Sequence, residues 1–130
     1  MVSFIKGIFN FLRACFMPKQ ARIENEERME RNAWTKRRHE VWEKYHGDAE
    51  QGICYTCGNQ VQRRNKGWHC SHVQALARGG SNEVENLRVC CAHCNLSMHT
   101  TNLYLYTYQK KLTGPASKKA KQYCIDHKLI

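Results

Sequence analysis

Four of the eight cysteines in this chain of 130 residues form two C-x-x-C pairs, Cys54 with Cys57 and Cys91 with Cys94. Two thiolates at this spacing lie on one tight turn and reach a single metal ion together. Four sulfur ligands suit tetrahedral Zn²⁺, with Zn–S distances of about 2.3 Å. A disulfide framework would need a secretory context, and a redox C-x-x-C would need a βαβ setting. We therefore predict a structural zinc site and, from its thiolates, a reducing intracellular compartment.

Two further cysteines, Cys70 and Cys90, do not fit this spacing. We interpret both as small buried hydrophobic residues. An alternative set of ligands, in which Cys90 pairs with Cys94 or with His93, remains open. His93 itself is expected to be exposed within the second C-x-x-C turn.

The segment between and after the cysteine pairs has an ordered set of polar residues. His72 lies on a predicted strand, a Gly-Gly turn follows, then Asn86, the second C-x-x-C, and Asn95 at the head of a predicted helix. In this order and spacing the chain resembles the HNH endonucleases over residues 34–103, and it is most similar to the small HNH proteins of large DNA viruses. The shared motifs are Trp42-x-Lys44-Tyr45-x-Gly47, Cys54-x-x-Cys57-Gly58, Asn86-Leu87-Arg88 and Cys94-Asn95-x-Ser97-Met98.

The resemblance implies an α+β fold, a small ββα-metal domain with the four-cysteine zinc site, preceded by one or two helices. It implies that His72 is the general base, which removes a proton from the water that attacks phosphorus. It assigns Asn86 to bracing the loop and orienting the base. Asn95 and His99, four residues apart on one helix face, would bind one catalytic divalent cation such as Mg²⁺ or Mn²⁺. Each of these residues also has a purely structural alternative.

The chain departs from the family pattern next to the expected base. Many HNH enzymes have Asp there as a metal ligand, and this chain has Ser71. A neutral hydroxyl is a poor ligand for Mg²⁺, so we expect weaker binding or a preference for ions that accept nitrogen ligands. His69 is a possible substitute, and Glu83 and Glu85 are expected at the surface. His99 stands where the viral relatives usually have Gly, yet His at this place is a ligand in other HNH nucleases.

In residues 1–17 the apolar residues recur three and four positions apart with polar residues between them, which predicts an amphipathic helix that ends before Pro18. Three interpretations remain open. The helix docks on the domain, it contacts a membrane or a partner protein, or the true start is Met17. A signal peptide is disfavoured because Lys6 and Arg13 interrupt the apolar run.

The rest of the chain falls into three parts. Residues 20–46 predict a charged helix that packs on the domain, with Trp34 and Trp42 as core anchors. Residues 51–112 hold the HNH domain, and residues 113–130 are expected to be a frayed basic tail.

The charge balance predicts the partner. With 21 Lys and Arg against 11 Asp and Glu, the formal net charge is +10, which favours a polyanion. We therefore expect a metal-dependent endonuclease acting on DNA, most simply double-stranded. The alternatives are a catalytically weakened zinc module that binds nucleic acid and, on residues 1–17 alone, a membrane-associated zinc protein. The sequence does not predict the oligomeric state.

Overall fold

A computed structural model describes residues 18–130, and the helix predicted for residues 1–17 lies outside them. The chain divides into two units, residues 1–36 and residues 37–130. Helix α1, Lys19–His46, begins directly after Pro18 and has no Gly or Pro within it. Gly47, with φ of +57°, follows its last residue. Among residues 18–130, no helix combines the length and the apolar composition that crossing a bilayer requires.

The described part of the first unit is the beginning of α1. No side chain of residues 18–36 is buried, and Trp34 is 38% exposed. The prediction that both tryptophans are core anchors is therefore right for Trp42 and wrong for Trp34. Within the second unit, Trp42 is fully buried, and its indole nitrogen donates to the Ala49 carbonyl over 2.8 Å.

The second unit adds two antiparallel hairpins and three helices, which confirms the α+β class. The first hairpin pairs β1 with β2, and the second pairs β3 with β4. The elements after α1 are β1 Gln51–Ile53, β2 Gln60–Gln62, β3 Trp68–His72, β4 Leu87–Cys91, α2 Ala92–Met98, α3 Leu103–Gln109 and α4 Ser117–Asp126. The order β3, β4, α2 is the ββα arrangement that the resemblance predicts.

The β3–β4 hairpin separates two apolar clusters. Its register pairs Cys70 with Val89 and His72 with Leu87. Because side chains alternate along a strand, Cys70, Leu87 and Val89 lie in one cluster with Trp42, whereas Cys90 lies in the other cluster with α2, α3 and α4. Cys70 and Cys90 are both buried, as predicted. Burial raises the pKa of the Cys70 thiol to about 11.

Helix α2 is shorter than the sequence predicts. The sequence favours a helix from Ala92 to Thr101, whereas the helix in the structure ends at Met98. His99 has φ of 52° and ψ of −119°, which is not helical and stops the hydrogen-bond ladder. A new helix then begins, with the Asn102 side chain accepting from the backbone of Tyr104 and Leu105.

The C-terminal residues differ from the expected frayed tail. Helix α4 packs against α3, with Ala116, Ala120 and Cys124 buried at helical spacing. The lysines lie on its other face, which is why composition alone predicted a solvated tail. Gly114, in the turn before α4, donates its N–H to the Thr56 carbonyl over 2.9 Å, and a Cβ there would lie 2.6 Å from that residue's backbone.

Candidate metal centre and active site

The four cysteines of the two C-x-x-C pairs converge. Their sulfur atoms all lie within 4.8 Å of one another, and the Cys57 and Cys91 sulfurs are 3.9 Å apart. Sulfurs at zinc-binding distance in a tetrahedron are separated by about 3.8 Å, so the geometry fits such an ion. All cysteines among residues 18–130 are free thiols, which leaves the four available as ligands.

Two hairpin ends position these sulfurs. Cys54 and Cys57 lie in the turn between β1 and β2, where Gly58 N–H donates to the Cys54 carbonyl. Cys91 ends β4 and caps α2, its sulfur accepting from the Cys94 N–H over 3.4 Å. The Asn59 N–H donates to the Cys57 sulfur in the same way. A metal ion here would join both hairpins to the start of α2.

Cys90 lies beside this centre without belonging to the group of four. A hydrogen bond from the Cys90 thiol holds the pKa of Cys54 well below its usual value, and the Thr56 hydroxyl lies 3.2 Å from the same sulfur. Among the described residues the cluster includes neither Cys90 nor His93, so the structure favours the set of four over the alternative with Cys90. Burial raises the pKa of Cys57, and raises that of Cys91 to about 11. A bound cation would offset this cost of burying thiolate charge.

A second feature, which we call the histidine pocket, lies between the end of β3 and the end of α2. It is a cavity of about 200 Å³, and His72, Asn95 and His99 line it with Met98 and the segment from Ala75 to Ala77. The structure thus brings together three of the predicted site residues. It places His99 after α2 instead of on its face, so the expected helical spacing from Asn95 is wrong although both reach the pocket.

Asn95 ties the helix to the strand. Its Oδ1 accepts from the Ser71 hydroxyl over 2.7 Å, and its Nδ2 donates to His69 Nδ1 over 2.9 Å. Ser71, in the position where relatives have Asp, is fully buried and its hydroxyl proton is engaged by Asn95. His69 contacts the same Asn95 side chain through its Nδ1 atom. Glu83 and Glu85 are exposed, as predicted, with side chains 69% and 77% accessible.

Asn86 braces the loop between β3 and β4. Its Nδ2 donates to the carbonyls of Gln74 and Ser81, and its Oδ1 accepts from the Gln74 N–H. All three bonds hold the two ends of the loop together, as the resemblance predicts. The same loop carries Arg78, whose side chain donates over 2.9 Å to the carbonyl of Thr100, a residue that lines the histidine pocket.

Two features of this region escaped the sequence analysis. His72 Nε2 lies 2.8 Å from Asn82 Oδ1, and nothing in the sequence singles out an Asn in a polar loop ten residues after the base. The second is the backbone of His99, whose φ and ψ favour Gly.

Comparisons with known proteins address the family. The family model of the HNH endonucleases matches residues 54–101. No curated protein and no solved structure matches the chain. Proteins with this domain are in general nucleases that act on nucleic acid. The match includes the four cysteines, the residues that line the histidine pocket and Asn86, so residues 54–101 are similar to the HNH endonuclease domain.

Proposed function

We propose that this protein is a metal-dependent endonuclease that hydrolyses DNA phosphodiester bonds, with His72 as general base. The observation that carries the proposal is the histidine pocket, where His72, Asn95 and His99 line one cavity. The cavity is open to solvent and has room for water and a phosphate oxygen. An imidazole can accept a proton from water, which suits the role of a general base.

In this mechanism His72 takes a proton from water, and the resulting hydroxide attacks phosphorus. Asn86 keeps the loop after β3 in place through its three hydrogen bonds. Arg78, which donates to the carbonyl of the pocket residue Thr100, would offer positive charge to the scissile phosphate. A divalent cation bound by Asn95 Oδ1 and the His99 imidazole would stabilise negative charge on the phosphate and the leaving 3′ oxygen.

The ligand atoms that the pocket offers indicate which divalent cation it would bind. Among the described residues that line it, none is a carboxylate, and the donors are an amide oxygen and imidazole nitrogens. Mg²⁺ prefers anionic oxygen, whereas Mn²⁺, Ni²⁺ and Zn²⁺ accept nitrogen ligands more readily. We therefore expect cleavage to be faster with Mn²⁺ or Ni²⁺ than with Mg²⁺. Ser71 does not compensate, because it is fully buried and is not among the residues that line the pocket.

We assign a structural zinc ion to Cys54, Cys57, Cys91 and Cys94. It would fix the start of α2, and hence Asn95, relative to the hairpins. The net charge of +10 supports a nucleic-acid substrate, and we propose double-stranded DNA. Contact of residues 1–17 with a membrane or a protein stays a prediction, because those residues lie outside the described part of the chain.

One observation favours a second candidate, a zinc module that binds nucleic acid without cutting it. The Asp that supplies an anionic ligand in many relatives is replaced by Ser71, which is buried and hydrogen-bonded. Without that charge the pocket would hold a cation more weakly. DNA binding would then persist through the net positive charge of the chain.

A plasmid nicking assay with Mg²⁺, Mn²⁺ or Ni²⁺ separates the two candidates. We expect the parent to nick and His72→Ala to lose about 10²-fold or more in rate. His39→Ala, an exposed histidine of α1, is the matched control and should nick like the parent. Equal rates for His72→Ala and the parent would overturn the mechanism. A parent that retards DNA with steep salt dependence but never nicks it would favour the binding module.

A further inference from the structure

We propose that the C-terminal pair of helices, α3 and α4, binds the phosphate backbone of the DNA duplex through exposed lysines at one end of the pair. We call this set the lysine surface, and it consists of Lys110, Lys111, Lys118 and Lys119. The inference rests on the proposed function for its partner, DNA. It does not require cleavage, so DNA binding and nicking can be tested separately.

Most of the positive charge of the chain lies in its C-terminal part. Residues 37–85 contain seven basic and six acidic residues, a net charge of +1. Residues 86–130 contain seven basic residues and one acidic residue, Asp126, which gives +6 of the +10 of the whole chain. In about 0.1 M salt, charges more than about 10 Å apart are largely screened, so a polyanion is attracted by local charge. The C-terminal part therefore attracts it most strongly.

The basic residues of the two parts also differ in their partners. Four basic residues before Asn86 form ion pairs with glutamates, namely Arg37, Lys44, Arg63 and Arg64. Within the described range 18–130, no ion pair involves a lysine after Gln109. The charge of the lysine surface is thus not neutralised by this part of the chain.

The packing of α3 against α4 brings the four lysines to one end. The ring centroids of Tyr104, at the start of α3, and Tyr123, near the end of α4, are 4.3 Å apart. The two helices therefore run antiparallel, and the end of α3 lies beside the start of α4. Asp126 is at the opposite end of α4, where it accepts a hydrogen bond from Gln122 over 2.8 Å. No acidic residue of α3 or α4 therefore lies at the lysine end.

Local structure does not favour lysine at three of these four positions. Lys111 has φ of 52°, a left-handed conformation that Gly adopts most readily after a helix. Lys118 and Lys119 are in the first turn of α4, where the helix macrodipole favours acidic side chains and the chain has none. Helix stability therefore does not account for these lysines, whereas attraction to phosphates does. Their charges can also be removed without loss of the fold.

The lysine surface is within reach of a duplex bound at the histidine pocket. At the start of α3, the Leu103 N–H donates over 3.0 Å to the carbonyl of Val73, the residue after His72. Helix α3 has seven residues and is therefore about 10 Å long. This length corresponds to about three base pairs of B-DNA. A duplex with one phosphate in the pocket is long enough to contact the lysines as well.

The binding test uses the full zinc-loaded chain and a fluorescent duplex of about 20 base pairs, with no Mg²⁺, Mn²⁺ or Ni²⁺ added. The lysine variant combines Lys111→Gly, Lys118→Gln and Lys119→Gln. We expect its affinity in about 0.1 M NaCl to fall at least tenfold, and the slope of log K against log[NaCl] to become less steep by about 2 to 3. Lys111→Gly alone, a change that suits the backbone, should reduce the slope by about 1.

The matched control combines Lys44→Gln, Arg63→Gln and Arg64→Gln, which removes the same charge from residues that form ion pairs. It should keep most of the parental affinity and slope, and circular dichroism verifies the fold of each variant. Equal losses in the control and the lysine variant would show that only net charge matters and would overturn the lysine surface. A parental slope in the lysine variant would overturn it too.

Two further measurements separate this inference from its alternatives. Vesicles that contain phosphatidylserine test a membrane as the polyanion. Vesicle binding that the lysine variant loses while it binds DNA like the parent would overturn the proposal. In the nicking assay, a parent that nicks DNA, together with a lysine variant of parental affinity, would refute the lysine surface and leave the proposed function standing. A parent that never nicks, together with the expected loss of affinity, would support the lysine surface and the binding module.

Discussion

Replacing His99 by Gly should make the protein more stable and weaken its binding of a divalent cation. His99 has φ of 52° and ψ of −119°, a conformation that Gly adopts readily and residues with a Cβ do not. Such strain costs of order 1–3 kcal/mol, and it is typically retained at functional sites. Gly also has more conformational freedom in the unfolded chain, which lowers the free energy of unfolding by about 0.5–1 kcal/mol. The expected net gain in free energy of unfolding is therefore about 0.5–2 kcal/mol.

The matched variant is His99→Ala. It removes the same imidazole from the histidine pocket but keeps a Cβ and therefore the backbone strain. Both variants should weaken Mn²⁺ or Ni²⁺ binding at least about tenfold, since each loses one of few donors. Only His99→Gly should gain stability. Two assays measure this, urea unfolding at fixed Zn²⁺ concentration and a cation titration by calorimetry.

The two readouts refute different parts of the reasoning. If the Gly and Ala variants unfold at the same urea concentration, the backbone at His99 stores no strain. If neither variant changes the cation titration, His99 is not a ligand and its conformation has another cause. If the Gly variant alone keeps parental cation affinity, an imidazole is not what the pocket uses.

Three further predictions concern the framework of the site. Cys91→Ser should lose the bound zinc and unfold, whereas Cys70→Ala, a buried thiol outside the group of four, should keep one zinc per chain by elemental analysis. Asn86→Ala loses three partly exposed hydrogen bonds, so its free energy of unfolding, measured in urea, should fall by about 1.5–3 kcal/mol. The control Asn65→Ala loses one hydrogen bond and should fall by about 0.5–1 kcal/mol. Trp42→Ala should lower the free energy of unfolding by about 3–5 kcal/mol because the ring is fully buried. A decrease of less than about 1 kcal/mol would contradict the core role of this ring.

The patterns with a fixed local geometry were readable from the sequence. A C-x-x-C pair is a turn whose sulfurs point one way, so two such pairs predicted the four-thiol cluster correctly. Asn86 was predicted to brace its loop, and its three hydrogen bonds do so. The catalytic roles of His72, Asn95 and His99, and the similarity to viral proteins, stay predictions.

The predictions that were wrong concern residues whose burial depends on contacts with segments distant in sequence. Trp34 and Trp42 look alike in sequence, but Trp42 lies in an apolar cluster of its own unit, whereas Trp34 is 38% exposed. Residues 113–130 look like a solvated basic tail until α3 presents the surface against which Ala120 and Cys124 pack.

The sequence by itself determined the four-thiol cluster and the order of the candidate site residues, because thiol spacing and the β, β, α succession are local properties of the chain. Only the tertiary structure decided where those residues point. The positive φ of His99, the engagement of the Ser71 hydroxyl by Asn95 and the contact of Asn82 with His72 all depend on segments brought together from different parts of the chain. Hydrogen bonds of this kind have no periodicity in sequence, since they form between whichever groups the packed hairpin and helix place within reach.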